Sequence, residues 1–135
     1  MRRVWPPCAG TAVLALLLLM PALAGARGYE GKKTVEGFEI ILRLDRHPPT
    51  LGENPVAIEI RDKSGKVVAD GRVQVNYYMP PMPRMVPMNY TTDAKLKGER
   101  YKAIMNVIMT GPWIVAVKIT HGGKTSTAKF TVDAQ

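Results

Sequence analysis

From residue 35 to residue 132 the chain alternates apolar and polar side chains with a period of two, and this commits it to β-strands. Phe38, Ile40, Leu42 and Leu44 alternate with Glu39, Ile41, Arg43 and Asp45, and Val56, Ile58 and Ile60 with Ala57, Glu59 and Arg61. A strand points successive side chains to opposite faces, so each such run can bury one face and wet the other. The runs predict strands over 35–44, 54–61, 72–79, about 90–96, 100–108, 113–120 and 125–132. Turn residues separate them: His47-Pro48-Pro49, Lys63-Ser64-Gly65-Lys66, Asp70-Gly71, Lys97-Gly98, Gly111-Pro112 and Gly122-Gly123. No window of a dozen residues carries a helical period. The pattern predicts an all-β fold, an immunoglobulin-like antiparallel β-sandwich of about seven short strands, in one domain over 35–135. A small barrel or a jelly roll is the alternative.

The first 26 residues read as an address rather than as part of that domain. Arg2 and Arg3 precede an apolar run from Ala9 to Met20, Pro21 ends it, and small residues at Ala22, Ala24 and Ala26 suit a signal peptidase. Cleavage after Ala24 or Ala26 is expected, with residues 27–34 as a flexible lead-in and the periplasm as destination. A retained membrane anchor is the less favoured reading, because the run is shorter than the roughly 20 residues of a spanning helix. Cleavage removes Cys8, the single cysteine, and so excludes thiol catalysis, disulfides and multi-cysteine metal sites from the exported protein. It also removes Arg2 and Arg3, so 19 basic residues become 17 against 11 acidic ones, a net charge of +6. These cations are dispersed. No nucleic-acid partner is expected outside the cytoplasm; the charge reads first as a device for solubility, and after that as weak attraction to an anionic membrane surface or an acidic protein.

Signal cleavage also sharpens the methionine count. Eight methionines become six, and four of these fall in Met79-Pro80-Pro81-Met82-Pro83-Arg84-Met85-Val86-Pro87-Met88, spaced by three. Proline and the residue before it favour polyproline II, whose three-residue turn would set Met79, Met82, Met85 and Met88 along one edge. Neutral thioethers select Cu(I) over harder ions and need no deprotonation. A straight edge would space neighbouring methionines by roughly 9 Å, so a shared ion requires a bend, for instance at Arg84-Met85, or a further ligand. If successive strands run up and down, the loop at His47, the 79–90 loop and the loop from Met109 to Pro112 meet at one end. His121 lies at the other. His47 and Met109 are therefore the added ligand candidates. The same loop also suits partner docking or plain packing, because methionine is an adaptable apolar filler. Met79 continues the inward face of Val73, Val75 and Tyr77, and Met105 and Trp113 read as core.

Catalysis is not expected. The two histidines fall in loops assigned to opposite ends, neither stands beside a nucleophile elbow, and no phosphate-binding glycine loop or zinc-binding helix occurs. The carboxylates sit singly among Lys, Arg and Gly, on what reads as solvated strand faces and turns.

In order, Leu51-Gly52-Glu53-Asn54, the Asp62-x-x-Gly65 turn, the strand ending in Met79-Pro80, Gly98-Glu99-Arg100-Tyr101, Gly111-Pro112-Trp113 and Phe130-Thr131-Val132 resemble the YtkA-like family, whose relatives include FixH-like proteins. The resemblance covers residues 35–132. It implies an exported or membrane-anchored β-sandwich linked with copper handling, with a metal-efflux or cytochrome oxidase assembly protein as partner. Family members commonly carry a histidine after the Met-Pro-x-Met stretch. Here Arg84 to Met88 contain none, which shifts the implied metal preference from Cu(II) toward Cu(I).

Overall fold

The structure is a computed structural model that describes residues 28–135; the expected signal peptide and its cleavage points lie outside the described residues. Eight strands follow one another: β1 (Tyr29–Val35), β2 (Phe38–Leu44), β3 (Gly52–Arg61), β4 (Arg72–Tyr78), β5 (Asn89–Lys97), β6 (Arg100–Val107), β7 (Gly111–His121) and β8 (Lys124–Ala134). All pairings are antiparallel, in the order β1-β2-β3-β6-β5-β4-β7-β8. Because β7 returns beside β4 after the β4-β5-β6 meander, the topology is a Greek key. The all-β, immunoglobulin-like sandwich expected from the alternation is what forms, rolled toward a barrel.

The roll is made at β5. Its residues Asn89–Ala94 pair with β4, whereas Lys95–Lys97 pair with Arg100–Lys102 of β6, so one strand serves both layers. Side chains alternating along the strands fill the space between the layers: Ile40, Leu42, Val56, Ile58 and Ile60 from one, Val73, Val75, Val115, Val117 and Phe130 from the other. Two buried hydroxyls span the interior. Tyr101 Oη donates to Val68 O and accepts from Gly71 N, and Tyr77 Oη accepts from Asn106 N across the layers. Among the described residues no helix is long and apolar enough to cross a membrane.

Three expectations need correction. Of the flexible lead-in expected over 27–34, Tyr29 onward is instead strand, since Tyr29–Val35 form β1. The single strand expected over 35–44 breaks at Glu36-Gly37, both with positive φ (49° and 86°), the signature of a two-residue type I′ hairpin turn. β1 escaped notice because it is an edge strand. It packs Tyr29, Gly31 and Val35 inward but carries Glu30, Lys32, Lys33 and Thr34, and Lys33 lies over the Phe130 ring of β8. Nor are all carboxylates solvated: Glu59 is 5% exposed, held by Arg43 Nη1 at 2.9 Å and Arg61 Nε at 2.8 Å. Those guanidiniums lower its pKa below the ordinary glutamate range.

Candidate functional site: a methionine-lined cleft

The strand directions place the β2–β3 loop, the β4–β5 loop, the β6–β7 loop and the C-terminus at one end, as the up-and-down reading requires. Gln135 N donates to Pro49 O there. His121 lies at the opposite end, 2.9 Å from Asp70 Oδ1 and edge-on to Phe38.

The β4–β5 loop does not run as a straight polyproline II edge. Met79 N donates to Met88 O, which extends the β4–β5 ladder by one step, and Met85 N donates to Met82 O across a tight turn. Pro83 and Arg84 are its central residues, and Arg84 has φ of 66°. Proline followed by a positive-φ residue is the type II arrangement, usually completed by glycine or asparagine. The ten residues therefore fold back on themselves, one residue before the bend anticipated at Arg84-Met85. Met79 stands opposite Met88 and Met82 opposite Met85. A spacing that a straight chain would spread along an edge is thus gathered around one opening.

That opening is a cleft of about 210 Å³ lined by Met79, Met82, Met85 and Met88 together with Pro80, Pro81, Pro87, Tyr78, Val86 and Asn89. Exposure is graded: Met79 is 7% exposed and belongs to the core, Met85 and Met88 are half-buried, and Met82 is 37% exposed. Met79 Cε fills the space above Gly111, where an added Cβ would come within 3.1 Å of it. At the same end of the sheet the rings of Tyr77, Tyr90 and Trp113 cluster, with centroids 5.5 to 6.4 Å apart.

The two added candidates do not line the cleft. The His47 ring is exposed and packs against Tyr29, with centroids 5.5 Å apart. Met109 is half-buried against the core, and its carbonyl accepts the Trp113 indole N–H at 2.9 Å. Met105 and Trp113 are core, as expected. Val86, which was not among the candidates, also lines the cleft and is 79% exposed.

Among the described residues no three His, Cys, Asp or Glu side chains converge in a way that could hold a metal. The cleft itself presents four uncharged sulfur donors and no carboxylate. Arg84, the one charged residue of the loop, is exposed at the turn. A soft monovalent cation fits such a donor set; a hard divalent one would be left without anionic ligands.

The Leu51-Gly52-Glu53-Asn54 run has a structural explanation at the same end. Asn54, 2% exposed, donates from Nδ2 to Thr50 O (2.6 Å) and Gly52 O (2.9 Å) and accepts from Thr50 N at 3.0 Å. One amide thereby fixes the entrance to β3.

The sequence profile of the YtkA-like family matches residues 32–118. No curated protein matches the chain in sequence. Among solved structures, the PmoD soluble domain from Methylocystis sp. ATCC 49242 (Rockwell) is similar in fold, with a TM-score of 0.54 and 14% identity, over 77% of this chain and 96% of that one.

Proposed function

Because the chain belongs to the YtkA-like family and gathers four methionines around one cleft, we propose that it is an exported carrier that binds and hands on Cu(I). The observation that carries the reading is the Pro83-Arg84 turn, which brings Met82, Met85 and Met88 round to the side of Met79. These four residues would hold the ion as cargo; a neutral thioether set stabilises Cu(I) and releases it without proton transfer. Half-burial of Met85 and Met88 shields the ion, and the more exposed Met82 offers the route by which an acceptor's ligand could displace it. The role is transfer, without chemistry on a substrate. The similarity to a PmoD soluble domain supports the fold on which this reading stands.

Anaerobic titration with Cu(I) against a competing chelator tests it. Stoichiometric binding is expected for the parent protein and its loss in a Met82→Leu/Met85→Leu/Met88→Leu variant that keeps its fold. Binding no greater than background would sink the proposal. The exposed Val86 beside Met82 favours a second reading, in which the loop docks without metal on an efflux or oxidase-assembly partner. Under that reading the leucine variant keeps partner binding and Val86→Asp abolishes it.

A further inference from the structure

The hairpin between β5 and β6 is arranged against its own stability. Lys95 stands directly opposite Lys102 and Lys97 directly opposite Arg100, with only Leu96 and Tyr101 between the two pairs. Like charges facing each other across antiparallel strands are unfavourable. Compensation is slight. Arg100 Nε reaches Glu59 Oε2 at 3.9 Å, and Lys95, Lys97 and Lys102 take part in none of the ion pairs among the described residues. All four side chains are exposed on the outer face of the sheet.

Beside them runs a groove of about 420 Å³. Pro55, Ala57 and the 50% exposed Ile104 give it an apolar floor, and the three lysines line it. Asp45 and Asp93 also line the groove, the latter accepting from Gln74 Nε2. β6 pairs with β5 only through Arg100–Lys102, so beyond Lys102 the β6 edge around Ile104 faces no strand. Asn106 N, farther along, is occupied by the Tyr77 hydroxyl.

We propose that this groove docks an extended acidic segment of a partner protein. Lys95 and Lys97 are two residues apart on one face, about 7 Å along the strand, which matches carboxylates at alternate positions of an extended chain. Apolar side chains of such a segment rest on Ile104 and Pro55, and its backbone meets the open edge of β6. The lysine repulsion is relieved when carboxylates arrive. The groove is separate from the methionine cleft, so a partner can be held here while the loop end stays free.

The test uses the purified protein and a fluorescein-labelled synthetic peptide of alternating Glu and Val, with a Lys-Val peptide and phosphatidylglycerol vesicles as comparisons. The Glu-Val peptide should bind, weaken with added salt, and lose affinity by about tenfold or more in Lys95→Gln/Lys97→Gln/Lys102→Gln. A control with the same charge change on the other layer, Lys118→Gln/Lys124→Gln/Lys129→Gln, should bind as the parent does. Thermal stability of the first variant should equal or exceed the parent's, because repulsion has been removed. Equal loss in both variants, no peptide binding, or binding to vesicles alone would overturn the proposal. A lower melting temperature in the first variant would also overturn it, by making the lysines structural. Cu(I) titration of the same variants should be unchanged, which separates failure here from failure of the carrier reading.

Discussion

Met79 and Met82 lie in the same cleft yet should respond to truncation in opposite proportions. Met79 is 7% exposed, shares the core with Tyr77 and Trp113, and covers Gly111. Replacing a buried methionine by alanine removes its transfer free energy and leaves a cavity, together about 2–5 kcal/mol. Met79 sits at the end of the core, where the loop can partly collapse, so the lower part of that range applies, about 2–3 kcal/mol. For a domain of this size such a loss lowers the melting temperature by roughly 10–20 °C. Met82, 37% exposed on the turn, should cost no more than about 0.5 kcal/mol. Calorimetry or urea melts of Met79→Ala and Met82→Ala measure both, and chelator competition at a temperature where both are folded measures Cu(I) affinity. Both affinities should fall, and only the Met79→Ala stability should. Met79→Leu, which conserves volume, should recover most of the stability but not the affinity. Equal destabilisation by the two alanine variants, or full Cu(I) affinity in Met79→Leu, would refute the assignment of one methionine to both core and cleft.

Three further outcomes follow from other parts of the structure. Glu59 has its pKa lowered from 4.5, first by the Arg61 hydrogen bond and then by Arg43. Its contribution is therefore present above the unfolded value and lost as pH falls through the lower folded one; acid melts of Glu59→Gln should show a shallower loss of stability below about pH 4.5 than the parent. Asn54→Ala strands the Thr50 and Gly52 backbone groups it now satisfies and should cost about 2–3 kcal/mol, with faster amide exchange at Thr50. Arg84→Gly relieves the left-handed backbone at the turn; a thermal melt should show it as stable as the parent or up to about 1 kcal/mol more so, with Cu(I) affinity retained.

The parts of the fold legible in the sequence are those where the two faces of a strand meet different surroundings. In β3, β6 and β8 every second side chain enters the core, so periodicity alone located them. β1 was illegible for the same reason reversed: its outward residues and Lys33 are polar, and only its neighbours on β2 and β8 make it a strand. The methionine spacing marked the loop that carries the cleft. It could not show that Met82 and Met85 face each other, because that depends on Arg84 adopting a positive φ that residue type does not demand. His47 and Met109 were brought to the correct end by topology, but Tyr29 and Trp113 engage them there.

Local chemistry, then, determined that this chain makes strands, where they break, and that its soft donors are concentrated in one proline-stiffened segment. Those are properties of neighbours along the chain, and the sequence records them directly. Which methionines share an opening and that four cations face one another across β5 and β6 depend on turn conformation and hairpin register, and which carboxylate is buried depends on pairing between separate strands. Strand register sets that pairing, and register is fixed only when both layers pack.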